Sequence, residues 1–154
     1  LGQLVKGLDT AAEIVPYLLD TMKAPEVGMI ERIGAAQGLA HVASHMEMTG
    51  FRTSLLPRVL STCDSPIPAA RQGYLALFQF LPETLSSRFE PLLDAILPVV
   101  IKGLSDEQDM VRESALASGQ AIVKTFGDEK VDVLIPVLQS GLFDKNWPIR
   151  VASI

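Results

Sequence analysis

The sequence predicts an all-α protein, an α-solenoid of about four stacked helix pairs with truncated ends, and three observations predict it. Four prolines, Pro16, Pro57, Pro98 and Pro136, sit inside apolar runs and recur at a spacing of about 40 residues. Arg71, Arg112 and Arg150 each follow their proline at one constant offset, and Arg32 stands slightly further from Pro16. Aligned on either marker, the flanking columns are apolar at helical spacing. Self-similarity at a period of about 40 residues is the mark of stacked helical repeats.

The first helix of each pair is read from its proline. The positions two before it (Ile14, Leu55, Ile96, Leu134), one before it (Val15, Leu56, Leu97, Ile135), two after it (Leu18, Val59, Val100, Leu138) and six after it (Met22, Cys63, Leu104, Leu142) share one apolar face. A proline inside a helix removes a donor and crowds the carbonyl four residues back, so these helices are expected to bend. Bent first helices favour HEAT repeats over armadillo repeats, which divide that segment in two. The second helix is read from its arginine: Ala35, Tyr74, Ala115 and Ser153 lie three residues on, and Ala36, Leu75, Leu116 and Ile154 four on.

The helices are placed near 1–8, 10–23, 26–47, 51–63, 67–82, 88–104, 107–126, 129–142 and 147–154, giving repeats near 10–47, 51–82, 88–126 and 129–154. Ser87 with Glu90 predicts a capping box, Asp106 and Asn146 are expected caps, and Gly50 and Gly127 are expected helix ends. The apolar pattern at both termini reads as a piece of a longer solenoid.

Of 154 residues, 48% are hydrophobic and 20% charged, which excludes a disordered chain. A net charge of −5 argues against a dedicated nucleic-acid domain, so no DNA partner is expected. No apolar stretch reaches membrane-spanning length, so no membrane partner is expected either. One cysteine cannot form an internal disulfide and suits a reducing compartment.

Chemistry-bearing residues are sparse. His41 and His45 are four apart, but no HExxH motif is present and the ligand set for a metal is incomplete. Cys63 shares its column with Met22, Leu104 and Leu142, so it reads as a small buried hydrophobe. Gly103 and Gly141 belong to the repeat strings GLSD and GLFD and are not clustered as a phosphate loop requires. No catalytic residue, metal ligand or cofactor is therefore expected. Asp106 precedes Arg112 by six residues, Asp144 precedes Arg150 by six, and Glu26 stands so to Arg32. Arg32, Arg71, Asp106, Arg112, Asp144 and Arg150 are expected to form a structural ladder of polar contacts, the alternative being an arginine facing a phosphate or an acidic partner. Trp147 is the only tryptophan and the one candidate for partner binding.

Particular strings go beyond generic columns. RIGAAQGLA (residues 32–40), ARQGYLALFQFLP (70–82), RFEPLLDAILPVVIKGLSDE (88–107), VRESALASGQ (111–120) and VLIPVLQSGLFDKNWPIR (133–150) occur in order. Together they resemble the family of giant HEAT-repeat translational activators of general amino-acid control, in the segment just after the elongation-factor-3-like region. The resemblance implies a cytoplasmic, non-enzymatic scaffold that associates with ribosomes and helps to activate the kinase of initiation factor 2 alpha. A contact to ribosomal RNA or protein is implied for the full-length protein. The family's kinase-contacting region is not matched, so no kinase-binding residue is carried over. Met46 to Thr49 depart from the glycine-rich turn expected there, as does the longer spacing from Pro16 to Arg32. The competing readings are a HEAT-repeat adaptor in nuclear transport or chromosome organisation, and a HEAT-fold metalloenzyme.

Overall fold

The computed structural model describes residues 2–128 and 132, with side chains described from residue 13. Every regular element among the described residues is helical: α1 (Gly2–Lys23), α2 (Met29–Ser44), α3 (Met48–Gly50), a π-helical turn (Phe51–Leu55), α4 (Leu56–Thr62), α5 (Pro68–Leu85), a 3-10 segment (Ser86–Leu92), α6 (Leu93–Gly103) and α7 (Asp109–Phe126). α2, α5 and α7 lie side by side with α5 in the middle. α1 packs on α2 and reaches α5, α4 packs on α5, and α6 packs on α7. This is an all-α fold of two helix rows.

The apolar columns become the core. Leu55, Leu56, Val59 and Cys63 are buried, as are Ile96, Leu97, Val100 and Leu104, whereas Ile14 is 37% exposed at the first proline. In the second row Ala35, Tyr74 and Ala115 are buried, and so are Leu39, Phe78, Leu81 and Ile122. Leu116 departs from its column and is exposed. Phe89, from the 3-10 segment, stacks on Phe126 with ring centroids 5.6 Å apart, tying the start of the third pair to its end. Each fully buried Leu or Phe stabilises the fold by about 2 kcal/mol.

Backbone approach explains one sequence string. A Cβ on Gly73 would lie 2.0 Å from the carbonyl oxygen of Met22, so α5 crosses the end of α1 at a distance only glycine permits. One residue on, the buried Tyr74 hydroxyl donates to Leu19 O at 3.1 Å. The Arg-x-Gly-Tyr string thus places α5 against α1.

Several local expectations are corrected. The break expected near residue 9 is absent, because α1 runs unbroken from Gly2 to Lys23 and through Pro16; an isolated Gly7 costs a helix only about 1 kcal/mol. The helix expected from Phe51 begins at Met48 and opens into a π turn in which Leu56 N–H closes on Phe51 O. Pro57 follows directly and has no N–H with which to continue a wide turn. Helix α5 passes through Pro82 to Leu85 instead of stopping there. Ser87 and Glu90 lie in the stretch before α6 and do not open that helix, which begins at Leu93. That stretch is 3-10, entered through Ser86 at φ 51°, and no side chain caps its start. Asp106, three residues before α7 begins, accepts from Gln108 N–H at 3.0 Å, so it holds the turn and not the helix. Gly127 ends α7 with φ −57° and Gly50 ends α3 with φ −63°, both in right-handed backbone, and the chain runs on from Gly50 into the π turn. The expectations for Pro136, Asn146 and helices 129–142 and 147–154 lie outside the described residues.

Candidate functional site

In each of the three described second helices the arginine near the start turns back onto the loop before it. Arg71 Nη1 donates to Ser65 O at 2.9 Å, Arg112 Nη1 donates to Asp106 O at 2.6 Å, and Arg32 Nη1 donates to Val27 O. The repeated spacing has a mechanical cause: five or six residues separate a loop carbonyl from the first turn of its helix, and a guanidinium spans that gap.

What each arginine does with its remaining donors differs. Arg71 makes a two-pronged contact with the next pair, Nε to Asp106 Oδ2 at 2.7 Å and Nη2 to Asp106 Oδ1 at 2.9 Å. Both side chains are mostly covered, at 18% and 13% exposure. Burial pushes the Asp106 carboxyl up. The hydrogen bonds from Arg71 and Gln108 and the charges of Arg71 and Arg112 outweigh burial and hold it below the usual carboxylate range. The same hydrogen bond holds Arg71 above its ordinary value. A second, exposed bridge joins the α4–α5 turn to the last turn of α6, Lys102 Nζ to Asp64 Oδ1 at 2.7 Å. Arg112 adds Glu107 O and the Asp109 carboxylate.

Arg32 meets neutral partners. Its Nε donates to Gln72 Oε1 at 2.8 Å, and Nη2 lies 3.8 Å from Met110 Sδ. The residue is only 4% exposed, and burial lowers its pKa. The position equivalent to Asp106 is Ser65, which offers Arg32 no charge. Glu26, six residues before Arg32, is exposed and is not its ion-pair partner. Arg32 is enclosed, so it presents nothing to a phosphate outside.

Sequence reasoning missed the residues that continue this line. Gln72 Nε2 donates to Ser114 Oγ at 3.0 Å. The Ser118 hydroxyl lies 2.7 Å from Leu75 O and 2.8 Å from Ser114 O. Gln72, Ser114 and Ser118 are all buried. The signal in the sequence was a polar residue in a helix face otherwise filled by Ala, Leu and Tyr. At the opposite end of the rows Arg88 donates to Ser44 O and Met46 O, covering the C-terminal carbonyls of α2.

His41 and His45 are exposed, and His45 Nδ1 sits 3.0 Å from His41 O, so the pair meets through backbone and not through two rings. Among the described residues no three His, Cys, Asp or Glu side chains are grouped to hold a metal. Cys63 is buried at 5% exposure, and burial, with Asp64 nearby, raises its thiol to about 12. A thiol in that state is no nucleophile. The concavities are open grooves between helices. One of about 420 Å³ lies between the two loops that Arg71 and Asp106 join, and others of about 400 and 510 Å³ flank Phe80 and Glu83. Asp144, Trp147 and Arg150 lie outside the described residues. No described helix is long and apolar enough to cross a membrane.

Comparison with known proteins agrees with this architecture. The family described as EF3 N-terminal HEAT repeat matches residues 32–154. The whole chain is 40% identical to the eIF-2-alpha kinase activator GCN1 of Dictyostelium discoideum. It is 34% identical to the stalled ribosome sensor GCN1 of Homo sapiens and 35% identical to the eIF-2-alpha kinase activator GCN1 of Saccharomyces cerevisiae, again over its whole length. In each case the chain spans only 6% of the relative.

Proposed function

The chain belongs to the EF3 N-terminal HEAT-repeat family, and from that premise we propose that it is a non-enzymatic segment of a cytoplasmic, ribosome-associated scaffold that helps to activate an initiation factor 2 alpha kinase. The observation that carries this reading is the whole-chain identity of 34–40% to GCN1 proteins, which are named as eIF-2-alpha kinase activators and as a stalled ribosome sensor. The mechanism is geometric. A spine of stacked pairs spans the ribosome and raises the effective concentration of the kinase near its trigger. The units are taken near 10–47, 51–82, 88–126 and 129–154. Arg32, Arg71, Asp106 and Arg112, with Asp144 and Arg150 by position, serve as a structural ladder of polar contacts within and between units. The arrangement supports that role, because Arg32, Arg71 and Arg112 each bond a carbonyl of the loop before their own helix, and Arg32 and Arg71 also reach Gln72 and Asp106 of the next unit.

The test uses the full-length protein with this segment deleted, or replaced by neutral helix pairs of equal number. Ribosome co-sedimentation and kinase activation are read together. Deletion is expected to lower kinase activation, and the neutral replacement to restore it if the segment acts through length and stiffness. A replacement that fails to restore activation points to a direct contact on this segment, with Trp147 the first residue to substitute. Unchanged association and activation after deletion remove the proposed role.

A further inference from the structure

We propose that the buried chain Arg32–Gln72–Ser114 is a register device that fixes how α2, α5 and α7 lie on one another, and so fixes the curvature of the row. It is separate from the Arg71–Asp106 contact, and it does not depend on what the scaffold binds. The residues are 40 and 42 positions apart, one from each second helix. Gln72 is 0% exposed and uses both ends of its amide: Oε1 accepts from Arg32 on one side and Nε2 donates to Ser114 on the other. Only one rotation of α5 satisfies both neighbours together. Ser118 extends the line by bonding Leu75 O across the α5–α7 seam.

The apolar contacts around this line do not discriminate so sharply. Ala35, Ala36, Ala40 and Ala43 on α2, and Ala115 on α7, give smooth faces over which a neighbour can slide at little cost. A buried Arg that meets only neutral partners is a poor source of stability, since desolvating the cation is costly. Its one selective property is direction: a slipped register leaves the guanidinium and the amide without partners in an apolar seam. Arg32 also reaches toward Met110 at the start of α7, so one side chain senses both neighbouring helices.

The test labels Gln37→Cys on α2 and Gln120→Cys on α7 with spin labels. Both sites are exposed, and the chain's single natural cysteine is buried. Pulsed electron resonance then reads the distribution of distances between the two helices. Three backgrounds are compared: native, Gln72→Glu, and the apolar triple Arg32→Met with Gln72→Met and Ser114→Ala. Glutamate still accepts from Arg32 and from the Ser114 hydroxyl, so the distribution is expected to stay narrow. The triple variant is expected to keep its helicity while the distribution broadens roughly twofold or splits, because the unique register is lost. A folded triple variant with the native width overturns the proposal. So does a Gln72→Glu variant as broad as the triple. A triple variant that is unfolded by circular dichroism overturns it as well, since the chain would then hold the fold and not select among registers.

Discussion

Gly73 carries more constraint than any residue with a functional group. Its missing side chain lets α5 reach the Met22 carbonyl, and backbone cannot move aside as a flexible side chain can. Gly73→Ala is expected to destabilise by about 3 kcal/mol or more, read as a lower urea midpoint, because it overpacks a site bounded by main chain. Gly34→Ala is the control: nothing lies within 4 Å of its added Cβ, so helix propensity alone should make it neutral or slightly stabilising. Cys63 gives a second residue-scale expectation. With the thiol near 12 and the residue buried, a disulfide reagent at pH 8 should react only as fast as the protein opens, and fully in denaturant. A fast native reaction would contradict the burial. The sequence showed Cys63 as a core hydrophobe, because it shares a column with Met22 and Leu104. It held no sign of the close approach at Gly73, because a long-range backbone contact leaves no periodicity.

At the scale of the element, two ion pairs link the second helix pair to the third, Arg71 of α5 to Asp106 of the α6–α7 turn and Asp64 of the α4–α5 turn to Lys102 of α6, and they are unequal. Lys102 and Asp64 are 69% and 59% exposed, and that pair contributes about 0.5 kcal/mol at most. Arg71 and Asp106 are largely covered and two-pronged, so Asp106→Asn is expected to cost about 2 kcal/mol near pH 7. The sign of the pH effect follows from the lowered Asp106 carboxyl. Its contribution is full above the unfolded value of about 4 and is lost as pH falls through the lower folded value. Native protein should therefore lose stability below about pH 4, while Asp106→Asn, with nothing there to titrate, should show a shallower acid limb in denaturant titrations. The arginine spacing was legible because it recurs with a period of about 40 residues. The partner was not, since Asp106 was read against Arg112 six residues on, whereas its carboxylate crosses to Arg71 and only its carbonyl serves Arg112. Helix starts were misread for a related reason. Ser87, Glu90 and Asp106 carry capping chemistry, but the turns they occupy are set by the packing of Phe89 and by the reach of Arg71.

At the scale of the whole molecule, burial among the described residues is concentrated in one helix. Twelve of the eighteen residues of α5 are buried, against six of eighteen in α7 and six of sixteen in α2. The sequence indicated paired rods, because apolar columns survive alignment on prolines and arginines. It did not show that the second helices form the denser row, since both faces of α5 read simply as hydrophobic. Position explains the asymmetry: α5 has a neighbour on either side, and it also meets the end of α1. In a stacked array stability is close to a sum of unit and neighbour terms, so a less buried helix can open without disturbing a more buried one. Hydrogen exchange should therefore rank the helices. Amides of α5 are expected to exchange only through the largest opening, while those of α2 and α7 exchange through smaller ones. The ranking also separates two effects of substitution. Gly73→Ala should lower protection in α1 and α5 together, whereas Asp106→Asn should loosen α6 and α7 while leaving α2 close to native. Uniform protection across α2, α5 and α7 would mean that the array opens as one cooperative block, and the unit-by-unit account of its stiffness would have to be given up.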